Sequence, residues 1–214
     1  MIYFISDLHG GEATEGLDRY LSLRRDGDLL IILGDVGLQF ENTEENRAFT
    51  ESFLSLDFPI AFVEGNHENH AYLNAFPEEE WCGGRVNRLS PYIVRLQRGN
   101  IFTLEGKTFF VMGGCKSSAK WKARGLWFEG EEPNERELSL GYENLRRFDN
   151  RVDYILTHKY APDMKSDDPL TLDGLKDYID NNVTFPHWYA GHWHSEFAYD
   201  DRHTVVYDNP VLLN

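Results

Sequence analysis

The sequence predicts an α/β fold, and three observations predict it. Residues 2–63 run strand, helix, strand, helix, strand, which implies a parallel sheet with right-handed crossovers. From Gly83 the period shortens to brief strands broken by turn dipeptides, the pattern of antiparallel hairpins. Five of the expected strands end in side chains of metal-ligand type. In open α/β sheets, ligands gather beyond the carboxyl ends of the strands.

Ile2-Tyr3-Phe4-Ile5 is a short buried strand, closed by Asp7-Leu8-His9 and two glycines. In an extended chain, residues two apart point the same way, so Asp7 and His9 aim at one place. Thr14 caps a helix carrying Leu17, Tyr20 and Leu21, and Asp26-Gly27-Asp28 stops it. The wholly apolar run Leu29 to Leu33 reads as a strand covered on both faces and ends in Gly34-Asp35. Thr43 caps a second helix with Phe49, Phe53 and Leu56 on one face. Pro59 to Val63 is the third strand, ending in Gly65-Asn66-His67-Glu68.

Val86 to Leu89, Ile93 to Leu96, Ile101 to Leu104 and Thr108 to Met112 are the short strands of the hairpin region. Gly113 to Pro133 is then a long irregular stretch containing Trp121, Trp127 and Phe128 among Lys116, Lys120, Lys122 and Arg124. Loops of that length in a compact domain are uncommon and often functional. Asn134 caps a helix with Leu138, Tyr142, Leu145 and Phe148 on one face. Val152 to Leu156 is a strand leading to Thr157-His158, and Asp168-Pro169 opens a last helix. Trp188-Tyr189-Ala190 leads to Gly191-His192-Trp193-His194, and strands at Glu196 to Tyr199 and Thr204 to Tyr207 close the chain as a hairpin. With no repeat, linker or low-complexity tract, residues 1–214 read as a single domain.

A hydrophobic content of 41% with 14% aromatics supplies ample core, which excludes a disordered chain. The 36 acidic and 21 basic residues leave a formal net charge of −15. That surface repels phosphate backbones and anionic membranes, so neither an extended nucleic-acid footprint nor a membrane partner is expected. A strand from residue 2 leaves no room for a secretory signal, and no apolar run is long enough to span a bilayer. Two cysteines, Cys82 and Cys115, do not make a disulfide framework. A cytoplasmic protein with reduced thiols is the expectation.

Asp7 with His9, Asp35, Asn66 with His67, His158, and His192 with His194 therefore stand at five strand ends, in chain order. Carboxylates beside imidazoles suit divalent metals such as Zn, Mn, Fe or Ni. Any one cluster is also readable as turn chemistry; five in order are not readily so. His70 is expected at the surface, with a place supporting the site residues as the alternative, His187 and His203 in structural roles, and Cys115 as a small buried thiol with a place facing the site as the alternative.

The set Asp7-x-His9, Gly34-Asp35, Gly65-Asn66-His67-Glu68, Thr157-His158 and Gly191-His192-x-His194 resembles the ordered motifs of the calcineurin-like metallophosphoesterase superfamily. Residues 113–133 also resemble a compact bacterial and phage-type branch of it. The resemblance implies a two-sheet β-sandwich flanked by helices. It implies two divalent metal ions, Mn2+ first, with Fe, Zn, Ni or Mg as alternatives. One ion would take Asp7, His9, Asp35 and His194, the other Asp35, Asn66, His158 and His192, with Asp35 as the bridge. His67 would be catalytic rather than a ligand, reaching the phosphate oxygens or the leaving group. The implied chemistry is hydrolysis of a phosphomonoester or phosphodiester of a small, nucleotide-like molecule by in-line attack of a metal-bridging hydroxide.

Many relatives carry an aspartate three residues after the bridging one, and some an arginine beside it; here those positions are Leu38 and Gln39. Glu68 and Glu41 are the substitutes considered for orienting His67. Arg124 and Lys120 are the expected substrate-binding cations, with the neighbouring aromatic faces as a stacking surface. A metal-dependent nuclease and a non-catalytic metal-binding scaffold are the competing readings. The missing basic groove speaks against the first and the filled ligand positions against the second. Sequence alone leaves the oligomeric state open.

Overall fold

The computed structural model describes residues 1–213 and consists of two mixed sheets packed face to face, with helices on both outer faces. The first sheet has the spatial order β13 (Val211–Leu212), β1 (Ile2–Ile5), β2 (Leu29–Ile32), β3 (Ile60–Phe62), β6 (Ile93–Leu96), β5 (Gly84–Arg88), β4 (Glu78–Trp81). The second has the order β11 (Phe197–Ala198), β12 (His203–Val205), β10 (His187–Ala190), β9 (Tyr154–Thr157), β8 (Lys107–Met112), β7 (Ile101–Leu104).

Strand periodicity explains the layering. Ile2 and Phe4, Ile31 and Leu33, and Ala61 and Val63 face the core between the sheets, where they meet Phe109, Val111, Leu156 and Tyr189. The alternate residues Tyr3, Ile5, Leu30, Ile32, Ile60 and Phe62 face outward onto α1 (Glu15–Leu23) and α2 (Glu44–Leu54), through Leu17, Tyr20 and Phe53. On the other side Phe110, Met112, Ile155 and Trp188 pack against α5 (Glu135–Arg147) and α6 (Leu172–Asn182), through Leu138, Leu145, Leu175 and Ile179. Strands buried on both faces must be apolar throughout, which is why they read as unbroken runs.

Two short helices complete the chain, α3 (His70–Asn74) after the third strand and α4 (Ala119–Ala123) inside the 113–133 stretch. The local helix signals act as read for α2 and α5. Thr43 Oγ1 accepts from Asn46 N, and Asn134 and Glu137 form a reciprocal capping box. Asn134→Ala is expected to lower stability by about 1 kcal/mol, read as a fall in Tm of roughly 2–4 °C in a thermal melt. The last helix is a correction. It starts at Leu172 under the Thr171 cap, whose hydroxyl accepts from Gly174 N, while Asp168 caps the preceding turn through Leu170 N.

Strands β4 and β13 are absent from the sequence reading. β4 pairs with β5 across the two-residue turn Cys82-Gly83, both at positive φ (50° and 87°). Its three glutamates mark it as a charged edge strand, and Arg88 and Arg85 reach across to Glu79 and Glu78. β13 is held by pairing with β1 at Tyr3 and Phe4. Among the described residues, no helix is long and apolar enough to cross a membrane.

Register places the candidate site. Ile5 pairs with Ile32 and Ile32 with Phe62, so three parallel strands finish level. In the second sheet Leu156 pairs with Tyr189, and β9 and β10 finish beside them.

Candidate metal centre

Asp7, His9, Asp35, His192 and His194 are five of the ten described non-glycine residues with positive φ. Such backbone is costly for residues with a Cβ and persists where surrounding packing enforces it, commonly at functional sites. These residues form the turns that follow β1, β2 and β10. The turns also bring backbones very close. A Cβ on Gly65 would overlap the Asp35 carboxylate, and one on Gly191 would overlap the Ser6 hydroxyl.

The side chains converge in three overlapping groups: Asp7, His9 and His194; His9, Asp35 and His67; and Asp35, His158 and His192. Within each group the ligand atoms lie within 4.8 Å of one another. Asp7 and Asp35 are buried, and one oxygen of each is held by backbone. His192 N donates to Asp7 Oδ2 (2.9 Å), and His67 N donates to Asp35 Oδ1 (2.7 Å). The other oxygens face imidazoles: Asp7 Oδ1 is 3.6 Å from His194 Nε2, and Asp35 Oδ2 is 3.3 Å from His158 Nε2.

Whether these residues fit divalent ions is tested by the atoms left without partners. Asp7 Oδ1 and Asn66 Oδ1 are buried acceptors with no hydrogen bond. The Asn66 amide is turned by Ser117, whose Oγ accepts from Nδ2 (3.3 Å), leaving the carbonyl oxygen free. Ring nitrogens meet in pairs, His9 Nε2 with His194 Nε2 at 2.8 Å and His158 Nε2 with His192 Nδ1 at 3.2 Å. His158 Nδ1 lies 2.7 Å from the Leu33 carbonyl, an acceptor only, so that nitrogen carries the proton and Nε2 presents its lone pair. Two buried oxygens without donors, set among imidazole nitrogens, are the ligand atoms a divalent cation takes. The donor set fits.

Electrostatics agree. Burial presses His9 down to about 4 and His192 down to about 3, and raises Asp7 to about 6. Burial opposes charge on His158, yet Asp35 beside it lifts that imidazole to about 9. Asp35 itself, pushed up by burial, is held below the usual carboxylate range by His158.

His67 sits in an aromatic slot that the sequence does not announce. Its ring stacks on Phe40 (centroids 4.7 Å, 29°) and meets the edges of Trp121 (4.8 Å) and His9 (4.7 Å). Glu68 does something else. Its carboxylate, buried and pushed up to about 8 by desolvation, accepts from Val36 N (2.9 Å) and Gly37 N (3.2 Å) and fixes the loop that carries Asp35. Glu41 lines the cleft. Leu38 is a fully buried core residue, and Gln39 turns at φ 52° with its backbone N–H donating to Thr50 Oγ1.

The cleft over these groups has a volume of about 990 Å3. Arg124 lines it, its guanidinium 5.1 Å from the Trp121 ring centre, as do Lys116 and Lys159. Lys120, on α4, is exposed and is not among the lining residues. Lys159 is a cleft residue that sequence reasoning misses, although its place directly after His158 is a signal that could have found it. Cys115 is both buried and turned to the site, its Sγ 4.0 Å from His192 Nε2 and its thiol pushed up to about 11 by burial. His70 is not at the surface: it is 3% exposed, with Nδ1 3.0 Å from Glu64 Oε1. His187 and His203 bond to Thr204 and Asp200, away from the site.

A family model described as calcineurin-like phosphoesterase matches residues 1–196. No curated protein matches significantly. Among solved structures, the chain is similar to a protein of unknown function, AQ665 from Aquifex aeolicus, at 17% identity and a TM-score of 0.41. That match covers 86% of this chain and 87% of the other, and is too distant to carry an argument.

Proposed function

Because the chain belongs to the calcineurin-like phosphoesterase family, whose members hydrolyse phosphoesters with divalent metals, we propose that it is a dinuclear phosphoesterase acting on a small, nucleotide-like ester. The observation that carries this reading is the pair of buried oxygens without partners, Asp7 Oδ1 and Asn66 Oδ1, in a site where Asp7 and Asp35 each share a cluster with two imidazoles. Asp7, His9 and His194 would hold one ion and Asn66, His158 and His192 the other, with Asp35 shared between them. Imidazole and carboxylate ligands suit Mn2+, with Fe, Zn, Ni or Mg as competitors decided by availability. Bound there, two divalent cations supply an acidified water and neutralise the non-bridging phosphoryl oxygens.

The chain's own residues do the rest. Asp35 Oδ1 accepts from His67 N, so the bridging carboxylate and the catalytic imidazole are placed by one hydrogen bond. Phe40 and Trp121 confine the His67 ring to one orientation. Burial holds His67 below the ordinary histidine value, so it meets substrate neutral at pH 7 and acts by donating its N–H to a phosphoryl or leaving oxygen. Arg124, with Lys116 and Lys159, offers charge to an anionic group beyond the reacting phosphorus, and Trp121 offers a face to a base or aryl group.

Hydrolysis of aryl phosphate monoesters and diesters is expected to require Mn2+, to vanish on chelation and to return on readdition. Turnover indifferent to chelator would sink the reading. The ratio of the two rates assigns the enzyme to mono- or diesters.

A further inference from the structure

Behind the candidate metal centre lies a buried cluster of charge that the chemistry above does not use. Glu64, 4% exposed, stands two residues before Asn66. Its Oε1 is 3.0 Å from both Arg95 Nη1 and His70 Nδ1, and its Oε2 is 2.9 Å from Arg98 Nε. Arg95 is spent locally, on Asn87 and Asn74. Arg98 is not. Its Nη2 donates to the carbonyls of Gly130 (2.8 Å) and Glu131 (3.4 Å), and its Nη1 approaches Glu137 Oε2 (3.3 Å).

Those carbonyls are the far end of the 113–133 loop, and the near end meets the same cluster. Gly114 N donates to Glu64 O (2.8 Å), and Cys115 N donates to Glu131 O (3.0 Å), closing the loop at its base. Beyond that base the loop's cations are stitched to its own acid and aromatics. Lys122 Nζ is 3.2 Å from Glu131 Oε1 and 4.7 Å from the Trp127 ring centre, and Arg124 lies over Trp121. Yet this loop supplies Trp121 to the His67 slot, Ser117 to the Asn66 amide and Arg124 to the cleft. Phe128 on Phe40, Trp121 on His67 and Ser117 on Asn66 touch the body of the domain at the cleft, and the base sets where those contacts fall.

We propose that Arg98, oriented by Glu64, is a positioning residue: its guanidinium fork on the Gly130 and Glu131 carbonyls holds the 113–133 loop as the substrate-side wall of the cleft. The role needs a planar fork with a carboxylate on one edge and carbonyls on another, which lysine cannot reproduce. It touches no reacting atom. This inference rests on the proposed activity only for its kinetic arm.

Arg98→Lys in the full chain keeps a positive charge beside Glu64 and removes the fork. The loop carries trypsin sites at Lys116, Lys120, Lys122 and Arg124. Limited tryptic cleavage confined to residues 116–124 is expected to speed up roughly tenfold, because proteolysis follows the population of the opened segment. With Mn2+ and an aryl phosphodiester, KM is expected to rise roughly tenfold and kcat to fall about three- to tenfold, as Arg124 leaves the cleft and Trp121 loosens from the His67 ring. The Mn2+ affinity is expected to weaken by about tenfold at most, through the Ser117 contact that turns the Asn66 amide. A merely structural role would scatter cleavage over the chain and lower the active fraction at unchanged KM, and that result overturns the proposal.

Should Arg98→Lys not fold, Gly114→Ala gives the same test from the loop side. Its Cβ would stand 2.6 Å from Glu131 O and 3.1 Å from Arg98 Nη2, wedging the base apart. Loop cleavage and KM unchanged in that variant also overturn the proposal. If the wild-type chain shows no Mn2+-dependent hydrolysis, the functional reading falls, while the trypsin comparison still decides the anchor.

Discussion

Asp35→Asn is expected to lower Mn2+-dependent hydrolysis by roughly a thousandfold, about 4 kcal/mol of transition-state stabilisation, with the fold intact. The substitution changes almost no volume. The amide oxygen that takes the place of Asp35 Oδ1 still accepts from His67 N, so the His67 backbone stays in place. What is lost is the second, charged oxygen, which stands 3.3 Å from His158 Nε2 and 3.8 Å from His9 Nε2. A neutral amide there cannot be shared between two cations, and its NH2 would point at ring nitrogens offered as ligands. Metal content measured after dialysis against Mn2+ is expected to drop toward one ion or none, while circular dichroism and Tm stay near wild type. A variant that kept two ions and most of its turnover would remove Asp35 from the bridge.

Glu64→Ala is expected to cost about 3–5 kcal/mol of stability, because it leaves buried Arg95 without its counter-ion and buried Arg98 with Glu137 alone. For a domain whose whole stability is on the order of 5–15 kcal/mol, that is a large fraction. The pH dependence follows from the sign of the shift. Burial works to raise the Glu64 carboxyl, but Arg98 and Arg95 outweigh it and hold it well below the ordinary 4.5. In acid the unfolded chain therefore binds this proton first. The Glu64 contribution is complete above about pH 4.5 and is lost as pH falls through the lower folded-state value. Urea melts of wild type and variant should accordingly differ most near pH 6–7 and draw together toward pH 3. A gap that widened in acid would contradict this account of the cluster.

The elements that are legible in the sequence carry their reasons locally. Strands covered on both faces need no alternation, so Leu29 to Leu33 declares itself, and a cap such as Thr43 acts within three residues. β4 is not legible because its glutamates gain strand geometry only from pairing with β5 at the sheet edge. His70 is expected outside because the sequence near it shows no partner for a buried imidazole. What buries it is Glu64, itself neutralised by arginines 31 and 34 residues further along the chain.

The candidate site divides in the same way. Sequence alone determined which side chains stand at the five strand ends, since ligand chemistry is a property of residue type and strand ends follow from hydrophobic runs. Only tertiary structure decided how those ends meet: the level register of β1, β2 and β3, the glycine-permitted approach of one turn to the next, and the Phe40–His67–Trp121 slot. It also decided that Glu68 serves the Asp35 loop and that Arg98 reaches Gly130. Such contacts join residues tens of positions apart, and a short-range pattern holds no record of which distant partner satisfies a buried polar group.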